Sequence, residues 1–174
     1  PEKIYSVSAT PCMAMKFEAR RDGMMRKGIS DVDSVMTVRE LARLIRLYGI
    51  DVTNIEPEPA DDPMAGRSSA AALAETSGGL AEAITRSLCF MITGKEVDKQ
   101  QFKKLRAGGS FREATISSDD LELKVAVVDG LTGLEKLRAA HASGNKYDLI
   151  EVMACPGGCI NGAGLPFSTL KDEK

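Results

Sequence analysis

The sequence has no long apolar run, no secretory signal and no excess of basic residues, and these absences narrow the classes of protein it can belong to. No stretch approaches the roughly 18–20 apolar residues of a membrane-spanning helix, and the N-terminal residues lack a signal-peptide pattern. The formal net charge is −2, with no dense basic cluster, which argues against a nucleic-acid partner. We therefore expect a cytoplasmic protein with no membrane span and no bound nucleic acid.

The absence of a secretory signal also bears on the four cysteines. In a reducing compartment, cysteines serve as metal ligands more often than as disulfides. Hydrophobic residues make up 43% of the 174 residues, enough for the core of one domain or a large part of one. The chain begins at Pro1 and enters a predicted strand almost at once, so we expect a piece of a longer protein.

Hydrophobic periodicity predicts alternating strands and helices. The predicted strands are 4–9, 32–36, 121–128 and Leu149–Met153. The first is expected to be a short buried strand with Tyr5, Val7 and Ala9 on one side. A capping box, Thr37-Val-Arg-Glu40, opens one predicted helix, Ser77-Gly-Gly opens a second, and a capping-box pattern at 132–135 opens a third. Residues 121–153 predict a parallel βαβ unit. The sequence therefore predicts an α/β fold, a mostly parallel sheet of about four strands flanked by helices.

The segment EVMACPGGCINGAG, residues 151–164, directly follows the last predicted strand. If its turn is helical, Cys155 and Cys159 lie four positions apart and face the same way. Gly157 and Gly158 would let the backbone approach whatever the sulfurs hold, and backbone N–H groups can point at an anionic group. An iron–sulfur cluster is the group that best fits this combination of thiols and glycines.

Cys12 is far from Cys155 in the sequence, but its position relative to a predicted strand is the same. Cys12 and Cys155 each follow the carboxyl end of a predicted strand, where ligands bind in open α/β sheets. If the two strands are parallel, Cys12, Cys155 and Cys159 converge on one crevice. The spacing alone leaves open the alternative that all three are small buried hydrophobic residues. A four-cysteine cluster would need one more ligand, for which Cys89 is the only other candidate; it lies inside a predicted helix, and we expect it to pack in the core instead.

Two segments resemble signatures of the iron-only (FeFe) hydrogenases. Residues 10–18, TPCMAMKFE, resemble the second signature of that family, M-P-C-x-x-K-x-x-E. Residues 151–166, EVMACPGGCINGAGLP, resemble the third, E-x-M-A-C-x-x-G-C-x-x-G-G-G-x-P. Shorter matches between them keep the family's order, so the resemblance covers nearly the whole chain. It implies that residues 1–174 form a single α/β lobe of a two-lobed hydrogenase domain.

The resemblance also implies a cofactor and a reaction. Cys12, Cys155 and Cys159 would be ligands of the 4Fe-4S half of the H-cluster, and Cys159 would bridge to its diiron subsite, which carries carbonyl, cyanide and a dithiolate bridge. The reaction implied is the reversible reduction of protons to hydrogen. Ferredoxin or another electron carrier would be a partner of the hydrogenase.

Further residues take roles from the same resemblance. Glu18 would match a structural carboxylate of the second signature, and Met153 a side chain that lines the diiron pocket; both are candidate catalytic residues. Met15, Ser77 and Gly78 are candidate cofactor contacts. The helix start at Ser77 and Gly78 could offer N–H groups to the cluster, or it could be an ordinary N-cap.

The sequence also departs from the family. The first signature, T-S-C-C-P-x-W, is absent, and with it the fourth cluster cysteine and the thiol that hands protons to the diiron bridge. Met15 replaces a lysine whose ammonium should hydrogen-bond a cyanide ligand, a bond that a thioether cannot donate. Thr10 replaces a methionine, and Lys16 does not share a helical face with Met15. We expect the chain by itself to be inactive and without the H-cluster, with an N-terminal lobe and ferredoxin-like domains lying outside it.

Several alternatives stay open at this point. Glu151 could take part in proton movement or could anchor backbone amides, and His141, the single histidine, is expected to be an ordinary residue near a helix end. The protein could instead be a non-catalytic iron–sulfur relative, a sensor or a cluster-assembly protein, as Met15 and Thr10 favour. It could also be a structural lobe whose cysteines bind nothing.

Overall fold

The computed structural model describes residues 4–59 and 73–166. These residues belong to two compact units, one formed by Pro1–Asp61 with Asn161–Lys174 and the other by Asp62–Ile160. The strands are β1 Val7–Thr10, β2 Met25–Arg26, β3 Ile29–Ser30, β4 Ser34–Thr37, β5 Phe111–Ser118, β6 Leu121–Asp129 and β7 Leu149–Met153. The α-helices are α1 Met15–Glu18, α2 Val38–Leu47, α3 Gly79–Thr93, α4 Lys103–Arg106 and α5 Gly130–Ala142. The α/β class is confirmed, and the single lobe over residues 1–174 stays a prediction.

In the first unit, β1 and β4 form a parallel pair in which Thr10 is opposite Thr37. The predicted capping box is present: Thr37 Oγ1 accepts a hydrogen bond from Glu40 N, and the Glu40 carboxylate accepts one from Thr37 N. The prediction that β1 is a buried strand was wrong. Val7 is 50% exposed and Thr10 is buried, because the polar side of this short strand is the one that faces inward.

In the second unit, β5, β6 and β7 form a three-stranded sheet in that order. The predicted βαβ unit is confirmed, since β6 and β7 are parallel and α5 connects them. The sheet arrangement differs from the expected four parallel strands: β5 is antiparallel to β6, and within the described residues the strands fall into three separate sheets. Strand β5 was not predicted. It contains polar residues such as Arg112 and Glu113, and only Ile116 and Ser118 are buried, so its hydrophobic pattern is weak.

The core of the second unit lies around strand β6. All four residues from Val125 to Val128 have no exposed surface, as expected for a strand covered on both faces. Cys89 is also fully buried and packs in the same cluster, so its predicted core role is confirmed. Burial raises the pKa of the Cys89 thiol, which disfavours the thiolate that a metal would need.

The start of α5 differs from the prediction. The helix begins at Gly130, two residues before the expected capping residue Thr132, and no side chain caps it. Gly130 has a φ of +64°, so the chain turns into the helix directly at the end of β6. The predicted capping box at 132–135 was therefore wrong, because Thr132 lies inside the helix. Among the described residues, no helix combines the length and apolarity that crossing a membrane requires.

Candidate metal centre

Cys155 and Cys159 lie in a loop that follows β7 and ends in a short 3-10 helix, Cys159–Asn161. Both cysteines are half-buried. Gly157 and Gly158 have φ values of +82° and +97°, in the left-handed region that other residues rarely adopt. A Cβ atom on Gly158 would come within 2.6 Å of both Glu75 O and Ser77 N. Glycine is therefore required at residue 158 by both its conformation and its neighbours.

Three backbone N–H groups of this loop donate hydrogen bonds to other atoms of the protein. Gly157 N donates to Asp129 Oδ2 at 3.1 Å, and Gly158 N donates to Cys155 O at 3.0 Å. Ile160 N donates to Glu75 O at 3.3 Å. Gly157 N therefore donates to an anionic group of the protein itself, the Asp129 carboxylate, and these bonds define the shape of the loop. Contact between the loop amides and an anionic ligand stays a prediction.

Glu151 anchors backbone amides, the second of the two roles considered for it. It is 5% exposed, and its carboxylate accepts hydrogen bonds from Gly78 N and Ala81 N, each at 2.6 Å. These amides belong to the first turn of α3, where a negative charge also interacts favourably with the helix dipole. Gly78 occupies the N-cap position without a side-chain cap, and the Glu151 carboxylate supplies the acceptor that a capping side chain would otherwise provide.

A second polar network, centred on Asp129 at the end of β6, was missed by the sequence analysis. Asp129 Oδ1 accepts hydrogen bonds from Arg112 at 3.1 Å and from the Ser77 hydroxyl, while Oδ2 accepts from Gly157 N. Asp129 and Arg112 side chains are 7% and 8% exposed, so this is a buried ion pair. The sequence does show an acidic residue, Asp129, at the end of an apolar strand, which could have indicated a buried ion pair. Its partner Arg112 lies in β5, which was not predicted.

Ser77 and Gly78 therefore have partners within the protein. Ser77 N donates to Gly157 O at 3.0 Å, and the Ser77 hydroxyl donates to Asp129. Gly78 N is bound to Glu151. The predicted role of Ser77 and Gly78 as cofactor contacts stays a prediction, and what the contacts establish is that both residues support the cysteine loop and α3.

Cys12 lies in the other unit, two residues after the end of β1. Its N–H donates to Thr10 Oγ1 at 3.1 Å, and the Thr10 hydroxyl donates to Met15 Sδ at 2.9 Å. Gly164 N donates to Pro11 O at 2.7 Å, and a Cβ on Gly164 would approach that oxygen to the same 2.7 Å. The last glycine of the third signature therefore packs directly against the residue before Cys12.

Thr10 and Met15, the two residues that depart from the second signature, thus bind each other. Lys16 has a different partner: its ammonium lies 2.6 Å from Glu40 Oε1. Hydrogen bonds from Lys16, and then from Thr37, lower the pKa of Glu40 from 4.5 to about 2. Met15 and Lys16 therefore point to different partners, as their adjacency in a helix predicted.

The other candidate residues are less constrained. Glu18 is exposed at the end of α1, and Met153 is half-buried at the end of β7, opposite Asp129 in the parallel register. Their predicted catalytic roles stay predictions. His141 is exposed near the end of α5, with Nδ1 3.1 Å from Asn145 O, which agrees with an ordinary histidine near a helix end.

The donor chemistry of the cysteines fits an iron–sulfur cluster in part. None of the four cysteines, all within the described residues, forms a disulfide, and Cys12, Cys155 and Cys159 are all half-buried. Within each unit, the described residues hold no group of three His, Cys, Asp or Glu side chains arranged for a metal ion. The chain thus offers three thiols of the right kind. Strands β1 and β7 belong to different sheets, so the expected reason for convergence was wrong, and the convergence itself stays a prediction.

The chain is similar to hydrogenases and to iron–sulfur assembly proteins. Iron hydrogenase 1 of Clostridium pasteurianum is 35% identical over 173 residues, which cover 99% of this chain and 30% of that protein. Cytosolic iron-sulfur assembly component 3 of Mus musculus is 33% identical over 175 residues, covering 94% of this chain and 36% of that protein. The chain therefore spans about a third of the length of these relatives.

A solved structure of an [FeFe]-hydrogenase, HydA(deltaEFG), has the same fold. Its TM-score is 0.75 at 29% identity, and the match covers 98% of this chain and 51% of that one. The sequence model of the family described as iron only hydrogenase large subunit, C-terminal domain, matches residues 1–163. The chain belongs to the iron-only hydrogenase large-subunit family and corresponds to its C-terminal domain.

Proposed function

We propose that Cys12, Cys155 and Cys159 are ligands of a 4Fe-4S cluster, and that a hydrogenase-length protein containing this chain reduces protons reversibly to hydrogen at an H-cluster. When bound, the H-cluster would supply the electron transfer and the iron site at which hydrogen forms. An N-terminal lobe of the same hydrogenase and a ferredoxin-like electron carrier are the partners of this proposal. A reducing, cytoplasmic location suits three reduced thiols.

The observation that carries the proposal is the defined shape of the Cys155–Cys159 loop. Two left-handed glycines and the hydrogen bonds donated by three loop amides define the conformation of this segment. A preformed loop loses less conformational entropy when its thiolates bind a cluster than a flexible one would. Met153 lies two residues before Cys155, at the end of β7, and in this proposal its side chain would line the diiron pocket.

Single cysteine replacements test the ligand set. The protein would be reconstituted anaerobically with ferrous iron and sulfide, and iron content and visible absorbance measured for Cys12→Ser, Cys155→Ser and Cys159→Ser. Each variant should lose most of its bound iron relative to wild type, because each removes one thiolate. Cys89→Ala is the matched control: it removes a thiol from the core and should keep its iron. Equal iron in wild type and all three serine variants would contradict the proposal.

A second candidate function, a non-catalytic iron–sulfur protein, is favoured by the Thr10–Met15 hydrogen bond. Met15 stands at the position where the signature has a lysine, and this bond directs its thioether toward Thr10. The neighbouring Lys16 forms an ion pair with Glu40. Hence neither residue 15 nor residue 16 offers a cationic donor to a cyanide ligand. Similarity to cytosolic iron-sulfur assembly component 3 is consistent with this alternative. Infrared bands of carbonyl and cyanide in the anaerobically isolated holo-protein would exclude it; a cluster without those bands would favour it.

A further inference from the structure

The Asp129 carboxylate occupies a position from which it can control the geometry of the cysteine loop. Its two oxygens bind different parts of the second unit: Oδ2 binds Gly157 N, in the middle of the loop, and Oδ1 binds Ser77 and Arg112. Asp129 is also opposite Met153 in the parallel register of β6 and β7. One side chain therefore connects strand β5, the residue before the N-cap of α3 and the residue midway between the two cysteines.

The contact between Asp129 and Arg112 is a buried ion pair and not a contact between exposed side chains. Asp129 is 7% exposed, and its charge is compensated by Arg112, whose side chain is 8% exposed. Arg112 is itself fixed, since a second guanidinium nitrogen donates to Ala107 O at 2.7 Å. A buried charge that is paired and hydrogen-bonded in this way has one preferred geometry, and losing either partner is costly.

We propose that Asp129 is a positioning residue for Cys155 and Cys159, acting through its hydrogen bond to Gly157 N and with its charge balanced by Arg112. This proposal rests on the assignment of Cys155 and Cys159 as cluster ligands. Residues that orient metal ligands without touching the metal are commonly worth a factor of about 10 to 100 in metal affinity. Asp129 fits that role, because the amide it binds is two residues from each cysteine.

The first test uses the protein without a cluster, so it does not depend on the proposed function. Alkylation of Cys155 and Cys159 by iodoacetamide would be followed by mass spectrometry in wild type, Asp129→Asn and Asp129→Ala. Replacement by alanine removes the acceptor for Gly157 N, so the rates at the two thiols should change at least severalfold, with asparagine intermediate because its carbonyl can still accept. Asp120→Asn, at an exposed position in the β5–β6 turn, is the matched control and should react as wild type does.

The second test measures the cluster itself after reconstitution with ferrous iron and sulfide. Asp129→Asn should lose iron to a chelator about 10-fold faster than wild type, and the cluster that remains should show an altered electron paramagnetic resonance spectrum and reduction potential. A residue that only stabilised the fold would lower the melting temperature and leave the spectrum and potential unchanged.

The outcomes separate the two proposals. Unchanged alkylation rates, iron retention and spectra in both Asp129 variants overturn the positioning role. Wild-type protein that takes up no iron overturns the ligand assignment, while altered alkylation in the variants would still show that Asp129 controls the loop. If Asp129→Ala does not fold, hydrogen exchange at Gly157 decides: its amide should be protected in wild type, and free exchange there overturns the proposal.

Discussion

At the scale of single residues, charged side chains in this protein have specific partners that determine their chemistry. Glu40 is the clearest case, because it accepts hydrogen bonds from both Thr37 and Lys16. These bonds favour the carboxylate over the carboxylic acid, which is why the pKa of Glu40 falls to about 2. A group whose pKa is lower in the folded than in the unfolded protein stabilises the fold above its unfolded pKa.

Glu40→Gln should therefore reduce the acid sensitivity of the protein. In wild type, the stabilisation by Glu40 is complete above pH 4.5 and is lost as the pH falls toward about 2. Glutamine retains the capping position but cannot titrate, so the variant should lose less stability over that range. Urea unfolding at several pH values measures the effect. Glu56→Gln, in an exposed loop, should leave the pH dependence as in wild type. The same acid sensitivity in wild type and Glu40→Gln would contradict the prediction.

At the scale of elements, α3 depends on a carboxylate that comes from a different part of the chain. Glu151 lies in β7, 73 residues after Gly78, yet it accepts the hydrogen bonds of two first-turn amides. The first four N–H groups of a helix have no partner within the helix. One buried side chain from a neighbouring strand therefore satisfies half of them and joins strand to helix.

Glu151→Ala should destabilise the second unit by about 1–3 kcal/mol, because it leaves two buried N–H groups without an acceptor. Glu151→Gln should cost less, since its carbonyl oxygen can still accept one bond. Chemical denaturation monitored by circular dichroism provides the measurement. Glu122→Ala, at an exposed position of β6, is the control and should change stability little. A loss no larger than that of the control would show that water replaces the carboxylate.

Gly158 of the cysteine loop and Gly144, which follows α5, offer a comparison in which the backbone φ angle is nearly the same. Gly158 and Gly144 have similar φ values of +97° and +94°, but only Gly158 has backbone atoms where a Cβ would lie. Alanine at either residue should cost about 1–2 kcal/mol for its left-handed conformation. Gly158→Ala should cost more and should also reduce iron uptake, because the loop must shift. Equal losses of stability and full iron uptake in both variants would contradict this account.

At the scale of the whole molecule, the described part of the second unit carries exposed apolar surface on α5 and β7. A groove of about 760 Å³ in the second unit is lined largely by apolar side chains of α5 and β7, including Leu131, Leu134, Leu137 and Ile150. Exposed apolar patches of this kind are typical of surfaces that contact another protein or bind a ligand.

The chain by itself should not evolve hydrogen after reconstitution, because it offers three thiols outside the core and a 4Fe-4S cluster takes four cysteine ligands. Hydrogen would be measured by gas chromatography with a reduced dye as electron donor, beside an active hydrogenase as positive control. Hydrogen above the background of reduced dye alone would refute the prediction. It would also show that a fourth cysteine is not needed.

The sequence by itself determined the features that depend on near neighbours. The capping box of α2, strand β7 and the βαβ unit follow from residues a few positions apart, and the third signature identified the family. The tertiary structure decided the partners of polar groups. Glu151 with α3, Asp129 with Gly157 and Arg112 with Asp129 are each pairs from distant parts of the chain. Local patterns cannot specify such pairs, because which atoms meet depends on how separate elements pack. Arg112, the partner of Asp129, also lies in β5, a strand that the sequence pattern did not predict.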